Sequence, residues 1–286
     1  MLEPKSIIGQ HILIDEALLD RLSDAIPHGS ICVEIGAGPG AITERLLGNG
    51  DKVIAYEVDQ RCRPMLDGLA KNGDIIVNWQ SFLQATNQFL DGLGEYHIVG
   101  NIPYHISEPL MFKIAQLNFK SAVLIIGKRL ANTITAQDPA KRFWSRMSLV
   151  SNAYFDVERL EDVPRQSFNP EPKADGVLVK IVRNDQQPSW MSNTLIKSYR
   201  ALIETNETNS TAAKALKTVL IDEQGRVQAE ANKESEQSVG MLKKPMSVFS
   251  VISLSVDKRL LSKPLAGLDN HELRQICSAI ATIVIR

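Results

Sequence analysis

Short apolar runs rich in β-branched residues alternate with helix-length amphipathic segments through roughly the first 180 residues. The strand-like runs are "SICVEIG", "KVIAYEVD", "DIIVNWQ", "YHIVGNI", "SAVLIIGK" and "GVLVKIVR". Between them, "AITERLLGNG" sets Ile42, Leu46 and Leu47 on one helical face, and "SEPLMFKIAQL" does the same with Leu110, Ile114 and Leu117. This alternation predicts an α/β fold: a doubly wound, mostly parallel sheet with helices on both faces. The polar, proline-containing stretch "RNDQQPSWMSN" breaks the pattern and places a domain boundary at residue 183. Beyond it, "TLIKSYRALI", "STAAKALKTVLI" and "NHELRQICSAIATIV" have helical spacing. Residues 1–183 therefore read as an α/β domain and residues 184–286 as a small helical domain.

Composition narrows the possibilities. A chain of 286 residues, 44% of them hydrophobic, can bury one full core and a second, smaller one. No apolar run reaches the roughly 18 residues of a membrane span, and the N-terminal "MLEPKSIIGQ" lacks a signal-peptide pattern, so a cytoplasmic protein is expected. Cys32, Cys62 and Cys277 are too scattered for a disulfide framework or a zinc site; reduced, buried thiols and no metal are expected. A net charge of −1 argues against a protein that coats nucleic acid non-specifically. Two basic clusters, Lys128, Arg129, Lys141, Arg142 and Arg146, and Lys214, Lys217, Lys243 and Lys244, read equally well as RNA contacts or as solvated surface. Oligomeric state is not encoded in any visible pattern, and a monomer is the default expectation.

Two stretches carry chemistry. In "VEIGAGPGAITERLL" a strand ends at Ile35, glycines follow at 36, 38 and 40, and a helix starts near Ala41, which lets backbone approach a ligand closely. About 20 residues on, Glu57 ends the next strand, where a carboxylate can take both hydroxyls of a ribose. A sharp turn and a solvated carboxylate would explain each feature alone; together, at this separation, they point to a nucleoside. The spacing is GxGxG where a nicotinamide dinucleotide site has GxGxxG, which favours S-adenosylmethionine. That ligand offers an electrophilic methyl group, and "GNIPYHIS" supplies what a weakly nucleophilic amine would need. The Asn101 Oδ1 and the carbonyl of Ile102 or Pro103 can accept both hydrogens of an exocyclic NH2, orienting its lone pair, while Tyr104 stacks on the ring. Positioning carries most of this chemistry and no strong general base is called for. The ring of Tyr104 is the working part, with no role for its hydroxyl. A flipped-out amino-base fits that turn.

"GQHIL", "EIGAGPGAITERL", "YEVD", "GNIPYHIS" and "VPRQSFNPEPKADGVLVKI" follow in the order and near the spacing of the rRNA adenine N6-methyltransferases, and the chain resembles that family closely over residues 5 to 183. The resemblance implies a Rossmann-like, S-adenosylmethionine-dependent methyltransferase domain and a C-terminal domain that positions RNA. It implies that His11 and Leu13 touch the methionine end of the cofactor, that Gly36 and Gly38 underlie it, and that Glu57 holds its ribose. Asn101, Pro103 and Tyr104 would hold the target adenine, with Asn101 also touching the cofactor and Phe168 on the ring's other face. Ser81 stands where the family has an aspartate that accepts from the cofactor's adenine amino group. Arg129 replaces a common acidic residue, and "ETNETN" replaces a basic stretch, leaving residues 184–286 with 13 Lys and Arg against 11 Asp and Glu. The expected reaction is methylation of adenine N6 in small-subunit rRNA, twice on one base, with ribosomal RNA or an immature ribosomal subunit as partner. The alternatives are a large-subunit methyltransferase of the macrolide-resistance type and a non-catalytic RNA-binding, transcription or ribosome-assembly factor on the same fold.

Overall fold

The computed structural model describes residues 11–71, 73–136, 145–183 and 257–263, together with positions 143, 272 and 275. The chain divides into two compact units, Met1–Thr135 with Tyr154–Asn184, and Ala136–Ala153 with Asp185–Arg286. In the first unit a two-residue strand β1 (Ile12–Leu13) precedes helix α1 (Glu16–Asp24), which is capped by Asp15, whose side chain accepts from Leu18 N–H at 3.1 Å. There follow β2 (Ile31–Ile35), α2 (Ala41–Gly48), β3 (Lys52–Tyr56), α3 (Arg63–Ala70), β4 (Ile75–Asn78), α4 (Asn87–Asp91), β5 (His97–Asn101), α5 (Ser107–Ala115), β6 (Ser121–Gly127) and α6 (Lys128–Ile134). After helix α7 (Arg146–Tyr154), all but its last residue in the second unit, the first unit resumes with β7 (Phe155–Val163), β8 (Phe168–Asn169) and β9 (Gly176–Arg183).

Seven strands form one sheet in the order β4-β3-β2-β5-β6-β9-β7. Pairings among β2 to β6 are parallel; β9 runs antiparallel to both β6 and β7. The chain winds outward from β2 through β3 and β4, then returns to β5 on the other side. The strand order therefore reverses between β2 and β5, and ligands of open α/β sheets bind at the carboxyl ends of the strands at such a point. The two chemistry-bearing turns leave those two strands.

The core explains the strand pattern. Cys32, Val33, Ile35, Val53, Ile54, Ala55, Ile98, Val99 and the β6 residues Ala122 to Ile126 are buried, as a sheet covered on both faces requires. Leu110, Ile114 and Leu117 pack inward from α5 and the turn after it. Cys32 and Cys62 are buried free thiols; Cys277 lies outside the described residues. The sequence pattern did not reveal β7, "FDVERLEDV". It is an edge strand on which Asp156, Glu158 and Arg159 are not buried, and a register shift between Arg159 and Glu161 spoils its alternation. Nor did it reveal β1 and β8, which pair antiparallel and set Leu13 opposite Phe168.

In the second unit, Asn152 Nδ2 donates to the Ala136 carbonyl at 2.9 Å, and a short helix α8 (Lys258–Ser262) is capped by Asp257, which accepts from Arg259 N–H at 2.8 Å. The rest of the helical domain expected over residues 184–286, including "ETNETN", lies outside the described residues. Among the described residues no helix is long and apolar enough to cross a membrane.

Candidate active site

A cavity of about 650 Å³ opens at the switch point, and His11, Leu13, Gly36, Gly38, Glu57, Ser81, Asn101, Pro103, Tyr104 and Phe168 all line it. Residues up to 157 positions apart in sequence thus share one wall, because β2, β3, β4 and β5 end side by side and the β1–β8 ribbon crosses nearby. Close approach of β5 to β2 depends on Gly100. Its φ is +159°, and a Cβ there would lie 2.5 Å from the Ile35 carbonyl oxygen, so any larger residue would push the two turns apart.

The glycine turn is pinned to β3. Gly36 and Ala37 N–H donate to the Tyr56 carbonyl at 2.8 and 3.3 Å, and Gly38 N–H donates to Glu57 Oε2 at 2.7 Å. The other carboxylate oxygen of Glu57 accepts from Val58 N–H at 2.7 Å and Asp59 N–H at 2.6 Å. Glu57 is 4% exposed, so three backbone donors fix its carboxylate at the cavity wall. Ser81 starts a 3-10 turn (Phe82–Gln84), and its hydroxyl oxygen accepts from Leu83 N–H at 3.3 Å. One lone pair of Ser81 is therefore committed to capping.

The second turn is equally constrained. Asn101 Nδ2 donates to the His11 carbonyl at 2.8 Å, which fixes the amide and leaves Oδ1 as an acceptor with no donor among the described residues. His11 Nδ1 bonds the Pro170 carbonyl at 2.7 Å, tying the segment before β1 to that after β8. The Pro103 carbonyl already accepts from Ile106 N–H at 3.1 Å and Ser107 Oγ at 3.2 Å. Of the two carbonyls the sequence offered, that of Ile102 is thus the one without a donor among the described residues. Tyr104 is 43% exposed on the cavity wall, whereas Phe168 is 4% exposed and belongs also to the core.

Several site features were missed by sequence reasoning. Val58 lines the cavity yet is 60% exposed, an apolar surface beside the ribose-binding carboxylate that suits the face of a nucleobase. Its signal was an apolar residue directly after a strand-end acid. Glu34 is fully buried in β2; Thr43 Oγ1 donates to its Oε2 at 2.5 Å while Oε1 has no partner among the described residues. Burial pushes its pKa up to about 7; the Thr43 bond opposes the shift and the Glu57 charge adds to it. Cys62, also on the wall, is pushed up to about 12 by burial and neighbouring acids, an unreactive thiol. Of the first basic cluster, Lys128 Nζ bonds Asp162 at 2.9 Å; Lys141 and Arg142 lie outside the described residues.

The family model for ribosomal RNA adenine dimethylases matches residues 1–244. The chain belongs to that family. The ribosomal RNA small subunit methyltransferase A of Thermotoga maritima is 36% identical over 182 residues, a match covering 63% of either chain. The protein of the same name from Bacillus anthracis is 34% identical over 190 residues, covering 63% of this chain and 64% of that one. The match therefore spans a little under two thirds of the length of these relatives. Among solved structures, a dimethyladenosine transferase from Plasmodium falciparum superposes with a TM-score of 0.58 at 24% identity, covering 93% of this chain and 96% of that one. The 23S rRNA methyltransferase ErmE gives 0.56 at 19% identity, covering 94% and 99%. These two likenesses establish the Rossmann-like methyltransferase fold.

S-adenosyl-L-methionine is the cofactor of this family, and the residues present fit it. The cavity is of ligand size, its glycine turn brings backbone to the wall, the Glu57 carboxylate faces it and Val58 offers an apolar rim. Among the described residues there is no group of three or more His, Cys, Asp or Glu arranged to hold a metal ion.

Proposed function

We propose that this protein transfers methyl groups from S-adenosyl-L-methionine to the exocyclic N6 of adenine in small-subunit ribosomal RNA, twice on the same base. The observation that carries the reading is the acceptor pair at the end of β5. Asn101, on the cavity wall, is held through Nδ2 by the His11 carbonyl, which leaves Oδ1 to accept, beside an Ile102 carbonyl that has no donor among the described residues. Two fixed acceptors about an NH2 group leave its lone pair as the one electron pair able to attack, which aromatic conjugation otherwise disfavours. Tyr104 supplies a stacking face, and Phe168, on the β1–β8 ribbon, adds a second aromatic side chain to the same cavity wall. Bound cofactor would supply the electrophilic methyl and leave as S-adenosylhomocysteine, and the methylated amine would then lose its proton to solvent. Glu57 and Gly38 hold its ribose end, Val58 its adenine face, and His11 and Leu13 the methionine end. For the second transfer the monomethylated amine has one N–H left, which one acceptor of the pair takes, the first methyl group standing in place of the other hydrogen.

The names of the curated relatives support the small subunit over the large one. One observation favours a non-catalytic reading: Ser81, at the family's aspartate position, spends an acceptor on Leu83 N–H. Absence of S-adenosylmethionine binding at millimolar concentration would establish that reading. The deciding experiment is incubation with labelled S-adenosylmethionine and separated ribosomal subunits, followed by mapping of the modified nucleotide. Label in dimethyladenine of the small-subunit rRNA is expected; label confined to the large subunit would refute the assignment.

A further inference from the structure

Tyr104 is held at two points that cofactor binding and the acceptor pair do not require. Its hydroxyl donates to the Ala174 carbonyl at 2.8 Å, in the segment between β8 and β9. One side of its ring abuts Gly127, the last residue of β6, which is not itself part of the cavity wall. Gly127 has φ −61° and ψ 140°, a conformation open to any residue, so the backbone gives no reason for glycine here. The reason is space. A Cβ would sit 3.3 Å from Cδ1 and Cε1 of Tyr104, closer than ordinary carbon contacts, and 3.5 Å from Cζ.

The ring cannot yield by swinging its hydroxyl away. Ala174 and Asp175 are themselves fixed: Lys128 N–H donates to the Asp175 carbonyl at 3.1 Å, Arg165 N–H donates to Asp175 Oδ1 at 3.3 Å, and Gly176 pairs with Gly127 across the antiparallel β6–β9 ladder. Tethered at its far end and blocked behind by β6, the ring has the cavity as its open side. We propose that Gly127 is a positioning residue, which together with the Ala174 carbonyl seats the Tyr104 ring and sets the width of the slot that receives the target base. The inference rests on the reading in which Tyr104 stacks on that base. It assigns a role to the tyrosine hydroxyl, as a tether, where the sequence offered none.

The test compares Gly127→Ala, Tyr104→Phe, the double variant and Tyr104→Ala, using labelled S-adenosylmethionine and small ribosomal subunits assembled on unmethylated rRNA. A shift of a few tenths of an ångström should lower kcat by about 10-fold in Gly127→Ala, since misplacement by about 1 Å costs roughly 100-fold. The KM for subunits and calorimetric affinity for S-adenosylhomocysteine should stay within about twofold, a split that general loss of structure would not give. Tyr104→Phe should lose about 3- to 10-fold in kcat through the loosened ring. The double variant should be no slower than Gly127→Ala alone, because the untethered ring can tilt away from the new methyl group. Parent rates in both single variants alongside a crippled Tyr104→Ala would overturn the inference and leave the stacking reading standing. A parent rate in Tyr104→Ala would remove the stacking reading, and the inference with it. If Gly127→Ala fails to fold, Tyr104→Phe decides: a parent kcat refutes the tether.

Discussion

The carboxylate of Glu57 offers the sharpest quantitative test of the cofactor site. From sequence alone, Glu57→Gln would be the mild substitution, since the amide keeps one acceptor for the ribose. The structure reverses that ranking for stability. Oε2 accepts from Gly38 N–H, and Oε1 from Val58 and Asp59 N–H, all at 2.6 to 2.7 Å. Whichever way a glutamine amide is turned, its NH2 meets a backbone N–H, donor against donor. The less costly orientation sets NH2 against Gly38, losing one charge-assisted bond and leaving that N–H unpaired, a cost of about 1 to 3 kcal/mol. In a protein of this size that lowers Tm by about 2 to 4 °C per kcal/mol. Glu57→Ala removes all three bonds but vacates space at an open cavity where water can serve the three N–H groups, so its unfolding temperature should fall no further than that of the glutamine variant. Affinity falls in both variants. Backbone N–H groups take three of the four lone-pair sites of the carboxylate, leaving one on Oε2 for the ribose; alanine removes it and glutamine sets NH2 in its place, a loss of about 1 to 3 kcal/mol in either case. Thermal unfolding without ligand, followed by calorimetric titration with S-adenosylhomocysteine, measures both quantities. A glutamine variant with the parent's Tm and affinity would refute the claim that this carboxylate is held by, and holds, the glycine turn.

Other substitutions probe the remaining parts. Asn101→Ala removes one of the two acceptors for the target amine and should slow methyl transfer by about 100-fold or more in single-turnover assays, with a smaller loss of cofactor affinity; equal losses in both would place Asn101 in the cofactor site alone. Ser81→Asp keeps a good cap for the turn at Phe82 and adds a charged acceptor, so S-adenosylmethionine and S-adenosylhomocysteine should both bind tighter by about 1 kcal/mol in calorimetry. Weaker binding of both would show that Ser81 does not face the adenine edge. Glu34 titrates near 7 in the folded protein against 4.5 for an ordinary glutamate, so the folded state holds its proton longer and stability falls as pH rises between those values, by about 3 kcal/mol in all. The difference in Tm between Glu34→Gln and the parent should therefore move in favour of the variant from pH 4.5 to pH 8; a pH-independent difference would contradict the buried, protonatable state.

Part of this protein was legible in the order of its residues. Strands β2 to β6 and β9 announce themselves as apolar runs, the turn after β2 as three glycines, and the turn after β5 as Asn-Ile-Pro-Tyr. Such features are written locally, because periodicity and special backbone angles are properties of neighbours in sequence. Strand β7 escaped because an edge strand has little burial to impose an alternation. What a side chain is bonded to was not legible at all. The Tyr104 hydroxyl finds its acceptor 70 residues away, Asn101 is oriented by a carbonyl 90 residues before it, and Glu34 looks like any strand carboxylate until the sheet closes over it. Sequence thus determined which chemistry-bearing groups exist and on which turns they sit. Only the tertiary structure decided which lone pairs remain free and where each ring can move, because hydrogen-bond satisfaction and close packing depend on atoms brought together by the fold.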